Sequence, residues 1–250
     1  MRCPAPGRCF DMGNQYFQFK QFTVQQAGSA MKVCTDACIQ GAFTAAYIRE
    51  QLPGASPVLD IGAGTGLLSL MLAQSGNGTI DAVELDAAAA QQAAENFAAS
   101  PWSERLRVFH TDIAHFNPAQ RYPFIITNPP FFDNDLQGPH QRRTAAMHTV
   151  TLGYEALLEA IIRLLAPGGS FSILLPRGGF DRFRRMAENE GFVLRKLLEV
   201  RQTTGHSPFR SIGIFGPAAE PQREELVIYN EQRQYTPAFV TLLKDYYLYL

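Results

Sequence analysis

From residue 58 onward the chain alternates short apolar runs with longer stretches in which apolar residues recur at helical spacing, and this alternation narrows the fold most. The runs lie at 58–61, 80–85, 106–110, 124–127, 170–175, 192–200 and 211–215. Between them, 65–74, 87–99, 151–165 and 180–190 carry the helical period. Strands separated by helices form βαβ crossovers, so the sheet is mainly parallel and must be covered on both faces. The expected fold is a seven-stranded, doubly wound α/β sheet, Rossmann-like, in a single domain. Ahead of it, 35–51 reads as a helix packing on the sheet, with Thr35 as its N-cap. Behind it, 217–221 reads as a turn, 226–229 as a strand and 237–247 as a last helix. Nothing resembles a linker to a second domain, so residues 57–216 form the core, and 1–56 and 217–250 are additions to it.

A chain of 250 residues with 46% apolar and 18% charged residues can bury such a core, and the composition excludes wholesale disorder. No apolar run reaches the roughly 18 residues of a spanning helix. Residues 1–20 lack the continuous apolar segment of a secretory signal, so a cytoplasmic protein is expected. Cys3, Cys9, Cys34 and Cys38 match no zinc spacing and have no histidine pair beside them. They read as reduced thiols, with no metal. Against 23 acidic side chains stand 22 basic ones, a net charge of −1, which excludes a uniformly basic nucleic-acid binder but not a local basic face.

The first strand runs into Asp60-Ile61-Gly62-Ala63-Gly64-Thr65-Gly66, after which a helix starts. Glycines let the backbone turn sharply and let a ligand approach the main chain. A dinucleotide loop needs a third glycine where this chain has Leu67, so that reading fails. The triplet Gly62, Gly64, Gly66 after Asp60 resembles the S-adenosylmethionine loop of class I methyltransferases. That ligand has no pyrophosphate, and a carboxylate near its ammonium group is welcome. One strand later Glu84 stands near a strand tip, where a carboxylate can accept both ribose hydroxyl protons. Asp112, after the third strand, reads either as a partner for the adenine amino group or as the N-cap of a following helix.

The strand at 124–127 stops at Asn128-Pro129-Pro130-Phe131, followed by Phe132. Two prolines remove two backbone donors and stiffen the turn. An exocyclic or amide nitrogen is a poor nucleophile because its lone pair is delocalised into the adjacent π system. The Asn128 side-chain oxygen and the Pro129 carbonyl can accept its two protons and favour a pyramidal nitrogen aimed at a methyl donor, leaving in-line positioning as the remaining work. Phe131 can stack on a planar substrate, an interaction of about 1–3 kcal/mol per base.

With the glycine loop, this turn resembles the amino-methyltransferases that modify adenine N6, cytosine N4, guanine N2 or glutamine nitrogen. The segments Phe17-Gln18-Phe19-Lys20-Gln21-Phe22-Thr23-Val24 and Ala30-Met31-Lys32-Val33-Cys34-Thr35-Asp36 look like the opening of the bacterial valine-tRNA adenosine-37 N6-methyltransferase family. Leu226-Val227-Ile228-Tyr229, Tyr235-Thr236 and Asp245-Tyr246-Tyr247-Leu248 look like its closing segments. The family pattern has glycine where Cys34 and Ala37 stand here. The resemblance implies N6-methylation of an adenosine in a tRNA anticodon loop, S-adenosylmethionine as cofactor, tRNA as partner, a flipped base on Phe131, and Thr35 and Asp36 beside the methionine end of the cofactor. No membrane contact is implied, and a monomer is expected.

Residues 133–148, with Arg142 and Arg143, read as a loop over the substrate. Arg177, Arg182, Arg184, Arg185, Arg195, Lys196, Arg201 and Arg210 outnumber Asp181, Glu188, Glu190 and Glu199, and arginine outnumbers lysine 18 to 4 in the whole chain. That fork suits phosphates, although ion pairs on a solvated helix also account for part of the stretch. His206, Pro208 and Phe209 can add a contact, while His148 reads as structural. Two rival enzymes share the turn, a protein-glutamine N5-methyltransferase acting on release factors and an rRNA guanine-N2 methyltransferase. The first usually carries a helical N-terminal domain, and only 57 residues precede the first strand here. A non-catalytic cofactor-binding RNA module is the remaining rival, and the intact Asn-Pro-Pro-Phe turn argues against it.

Overall fold

In the computed structural model, which describes residues 15–27, 32–52, 54–130, 153–217 and 220–250, the apolar runs become strands buried along their length. Val58–Ile61, for example, has all four residues buried. In chain order the elements are β1 (Tyr16–Gln18), β2 (Thr23–Gln25), α1 (Thr35–Gln51), β3 (Val58–Ile61), α2 (Leu67–Ser75), β4 (Ile80–Glu84), α3 (Ala87–Ala98) and β5 (Leu106–His110). They continue with β6 (Tyr122–Thr127), α4 (Tyr154–Leu164), β7 (Leu165–Pro176), α5 (Arg177–Asn189), β8 (Val193–Arg201), β9 (Arg210–Gly216), β10 (Gln222–Val227) and α6 (Pro237–Leu243).

The main sheet has the order β10-β8-β9-β7-β6-β3-β4-β5. Only β9 runs antiparallel to its neighbours. The chain enters at β3, moves outward through β4 and β5, and returns to β6 on the other side. Ligands bind in α/β sheets at such a reversal, outside the carboxyl ends of the strands. Ile61 pairs with Thr127 and also with Val83, so the glycine loop, the Asn128 turn and Glu84 leave the sheet at one level. Strand spacing of about 4.8 Å puts them in one crevice.

One face of the sheet is covered by α1, α2 and α3, whose Ile39, Phe43, Leu70, Met71 and Phe97 pack with Phe124, Ile126 and Leu174. On the other face, α4 and α5 bring Leu157, Ile161, Phe180 and Phe183 onto Ile125, Phe171 and Phe215. The two-stranded hairpin β1–β2 is too short to stand alone in water. Burial of Phe19 and Phe22, roughly 1.5–3 kcal/mol each, holds it to the first face.

The terminal segments meet there. Phe19 bridges to Tyr247, the Lys20 N–H donates to the Tyr246 carbonyl (2.8 Å), and the Tyr246 hydroxyl lies 2.6 Å from Ser75 Oγ. The last helix therefore stops at Leu243 rather than at 247: the chain turns so that Tyr246 reaches α2 and Tyr247 reaches α1.

All seven expected core strands are present, and the strand expected at 226–229 lies instead at 222–227, as β10, an eighth strand beside β8. Its place follows from its position at the sheet edge, where charge protects an unpaired strand. Residues 222–225 are exposed, with Glu224 paired to Lys196 and Glu225 to Arg201. The N-cap of α1 is Cys34, without a side-chain cap, rather than Thr35. The Thr35 side chain instead hydrogen-bonds Tyr247.

Candidate active site

The glycine loop is built to turn and to leave room. Gly62, Gly64 and Gly66 have φ of 72°, 56° and 82°, where a side chain would be strained. Added Cβ atoms on Gly62 and Gly64 would meet nothing within 4 Å, whereas one on Gly66 would lie 2.4 Å from the Phe97 ring. The first two glycines thus line open space, and the third allows α3 to pack closely. The N–H groups of Gly62 and Ala63 both donate to the Val83 carbonyl, Gly64 donates to Glu84 Oε2 (2.8 Å), and Gly66 donates to the Ala63 carbonyl. Four loop amides are thereby satisfied inside the protein. A pyrophosphate loop would instead present its amides to the ligand, so this one suits a ligand without phosphate.

Asp60 lies beneath the loop, fully buried. Its Oδ2 accepts from the Ser69 N–H (3.1 Å) and hydroxyl (2.7 Å), while Oδ1 is buried with no hydrogen-bond partner. Burial pushes its carboxyl up to about 7, against the pull of the two Ser69 hydrogen bonds, with the Glu84 charge adding to the rise. In this structure Asp60 ties β3 to the first turn of α2. Glu84 is half-buried at the tip of β4, and its Oε1 accepts from the Asp86 N–H (2.9 Å). Each of its oxygens keeps a further lone pair. Asp112 accepts from the Ala114 N–H (2.9 Å), capping a turn; no helix follows it before β6.

Across the reversal, Asn128 is half-buried, Pro129 buried and Pro130 exposed. Asn128 Oδ1 is inaccessible to solvent and accepts no hydrogen bond. Leaving a buried acceptor unsatisfied costs about 1–3 kcal/mol, and no donor for this amide oxygen is found among the described residues.

At the start of α1, Asp36 is buried and its Oδ2 pairs with Arg210 Nε at 2.8 Å. Burial, together with Asp36, pushes the Cys34 thiol up to about 12, and burial does the same to Cys38. Both are inert as nucleophiles near neutrality. Among the described residues no group of three or more His, Cys, Asp or Glu side chains could hold a metal ion, and no helix is long and apolar enough to cross a membrane.

Gly62, Gly64, Glu84 and Asn128 therefore share the crevice, with Asp112 just beyond the tip of β5. Asp60 and Gly66 support it from below, and Thr35 and Asp36 are engaged with Tyr247 and Arg210. Phe131, Phe132, Arg142, Arg143 and His148 lie outside the described residues. His206 is exposed, its Nδ1 2.6 Å from Thr203 Oγ1.

The excess of basic charge between 177 and 210 is largely cancelled in three dimensions. Arg177 pairs with Asp181 and Glu199, and Arg184 with Glu188. Arg182, Lys196, Arg201 and Arg210 take Glu155, Glu224, Glu225 and Asp36 from outside the stretch. Sequence reasoning also missed Gln40, Ser69 and Asn96. Asn96 is buried and joins Gln25 N and O to the Thr65 carbonyl. A polar residue inside an otherwise apolar helical face was the available signal for Gln40.

Residues 44–177, more than half the chain, match the family model described as the methyltransferase small domain. The methyltransferase subunit of a type I restriction-modification system from Streptococcus thermophilus superposes with a TM-score of 0.59 at 15% identity, over 87% of this chain and 53% of its own. Fold and crevice together define a class I methyltransferase. A curated relative from Dyadobacter fermentans, named tRNA1(Val) (adenine(37)-N6)-methyltransferase, is 43% identical over 94% of this chain and 98% of its own length. One of the same name from Tolumonas auensis is 40% identical over 95% and 98%. The chain belongs to the tRNA1(Val) (adenine(37)-N6)-methyltransferase family.

Proposed function

We propose that the protein transfers the methyl group of S-adenosylmethionine to N6 of adenosine 37 in the anticodon loop of valine tRNA. The observation that carries the reading is the buried, unpartnered Asn128 Oδ1 at the sheet reversal, in a chain similar along nearly its whole length to relatives named for that reaction. The crevice fits the cofactor: Gly62 and Gly64 leave it space, and Glu84 stands at the neighbouring strand tip with lone pairs for the ribose hydroxyls. Asp112 borders the same crevice and suits the adenine amino group. Thr35 and Asp36, at the start of α1, are assigned to the methionine end.

When bound, S-adenosylmethionine supplies a sulfonium methyl group as electrophile. Asn128 Oδ1 accepts one N6 proton of the target adenine and the Pro129 carbonyl accepts the other, which favours a pyramidal nitrogen whose lone pair is less delocalised into the ring and aimed at the methyl group. The two proline rings fix φ on both sides of that carbonyl and stiffen the turn. The nitrogen becomes acidic only after it is methylated, so its proton passes to solvent and no strong base is required. Phe131 and Phe132 are assigned to stacking on the flipped base, and Arg142 and Arg143 to phosphate contact. The reading takes the enzyme as a monomer that works without a metal. A tRNA substrate is consistent with a cytoplasmic enzyme.

Mass spectrometry of nucleosides from valine tRNA incubated with enzyme and S-adenosylmethionine is expected to give N6-methyladenosine. Asn128→Ala is expected to lower the single-turnover rate by about 10²- to 10³-fold, the scale of removing one aimed polar group, with cofactor affinity retained. Methylation of guanine N2, or of a glutamine in a release factor in place of tRNA, would overturn the assignment.

A further inference from the structure

The catalytic turn has an anchoring problem. Pro129 and Pro130 stiffen it but have no N–H groups with which to fasten it to the rest of the protein, so its orientation depends on what holds the residue before Asn128. Thr127 is held twice. Its hydroxyl donates to the Ile61 carbonyl (2.9 Å), immediately before the glycine loop. Its carbonyl accepts from Gln40 Nε2 (2.9 Å), a fully buried amide on α1. The same Nε2 lies 3.5 Å from Ser172 Oγ, which is 2.8 Å from Thr44 Oγ1. The other amide atom, Gln40 Oε1, is buried and unpartnered. Stability alone gives little reason for such a residue: a buried glutamine with one unsatisfied oxygen is disfavoured against an apolar side chain of its size.

We infer that Gln40 is a positioning residue for methyl transfer, holding the Thr127 carbonyl so that Asn128 meets the target amine in reactive geometry. The inference rests on the methyl-transfer reading above. If that reading failed, the wild type would not methylate. If only this one failed, the wild type would methylate and the variants would do so equally well.

The test uses two substitutions in the full chain. In Gln40→Met the donor is removed with little change of volume. The single-turnover rate is expected to fall about 10- to 100-fold, the scale of a displacement of about 1 Å. The KM for tRNA and the affinity for S-adenosylmethionine should change little. Gln40→Glu gives a readout that a merely structural residue would not. Buried carboxyls can be held protonated to about pH 8–9. While protonated, the introduced carboxyl donates to the Thr127 carbonyl; once ionised, it repels that oxygen. The ratio of variant to wild-type rate should therefore be near one at about pH 6 and fall as pH rises. Asp60 on β3, Asp36 and Cys38 on α1 and Arg210 on β9 are present in both proteins, so the ratio isolates the introduced carboxyl.

Circular dichroism at each pH confirms that the folded protein is being assayed. A Gln40→Met rate within about threefold of wild type, or a Gln40→Glu ratio flat with pH, overturns the inference. So does failure of both variants to fold, which would make the residue structural.

Discussion

Replacing Asp60 by Asn should change how stability depends on pH, and in one direction only. Below about pH 4 the Asp60 carboxyl is protonated in folded and unfolded chains alike. Above that, the unfolded chain releases its proton near the ordinary 3.8, while the folded protein keeps it to about 7 because the group is buried. Folding therefore takes up a proton across this window, and the wild type loses stability as pH rises, levelling off above about pH 7. Each unit of separation is worth about 1.36 kcal/mol, so the loss is at most roughly 4 kcal/mol. In Asp60→Asn the amide oxygen can still accept both Ser69 donors, and nothing titrates. Urea unfolding at several pH values between 4 and 8 measures the difference between the two proteins, in which other ionisable groups cancel. The advantage of the wild type should shrink by up to about 1.4 kcal/mol per pH unit from 4 to 7 and stay constant beyond. A difference independent of pH over that range, or one that grows, would refute the claim that Asp60 is held neutral under the glycine loop.

Glu84→Ala should weaken S-adenosylmethionine binding by calorimetry about 10- to 100-fold, the loss of one or two charge-assisted hydrogen bonds, and unchanged affinity would remove Glu84 from the site. Gly66→Ala should lower thermal stability far more than Gly62→Ala: both bear left-handed strain of about 1–2 kcal/mol, but only the first drives a methyl into Phe97, adding about 1–3 kcal/mol. Equal losses would mean that the Phe97 ring yields freely. In tRNA binding against salt, alanine at Arg142 and Arg143 should lower the log–log slope by about 0.7 to 0.9 for each phosphate no longer neutralised, whereas removing the paired Arg184 and Glu188 together should leave it unchanged.

What can be read from the chain is what its local pattern carries. The βα alternation, the glycine loop and the Asn128 turn are each written within a few consecutive residues, and periodicity places β3, β5 and α1 at their observed bounds. The relation between those pieces is another matter. Gln40 reaches Thr127 from 87 positions away, and Arg210 reaches Asp36 from 174. No local period encodes such pairs. Strand β10 departs from its expected place for a related reason: its charged residues fit an edge whose partners on β8 are known only once the sheet is assembled. Asp60 reads as a ligand contact from its place in a motif, whereas its burial depends on α2 closing over it.

The arginine-rich stretch shows why a local sum of charge misleads. Its surplus over 177–210 is met by Glu155, Glu224, Glu225 and Asp36, brought in from α4, β10 and α1. A phosphate arriving at one of these arginines would have to displace a carboxylate already there, exchanging one anion for another with little net Coulombic gain in a solvent-screened setting. These side chains fasten α5, β8 and β9 to their neighbours, Arg210 tying β9 to the start of α1. The glycine loop follows the same logic, its amides and the Glu84 carboxylate satisfying each other. Among the described residues around the reversal, the buried side-chain oxygens without a hydrogen-bond partner include Asn128 Oδ1 and, beneath the loop, Asp60 Oδ1. On the proposed reading, selectivity for an amine at that point follows from this contrast: the loop amides are matched internally, and the amide oxygen at the sheet reversal has no hydrogen-bond partner among the described residues.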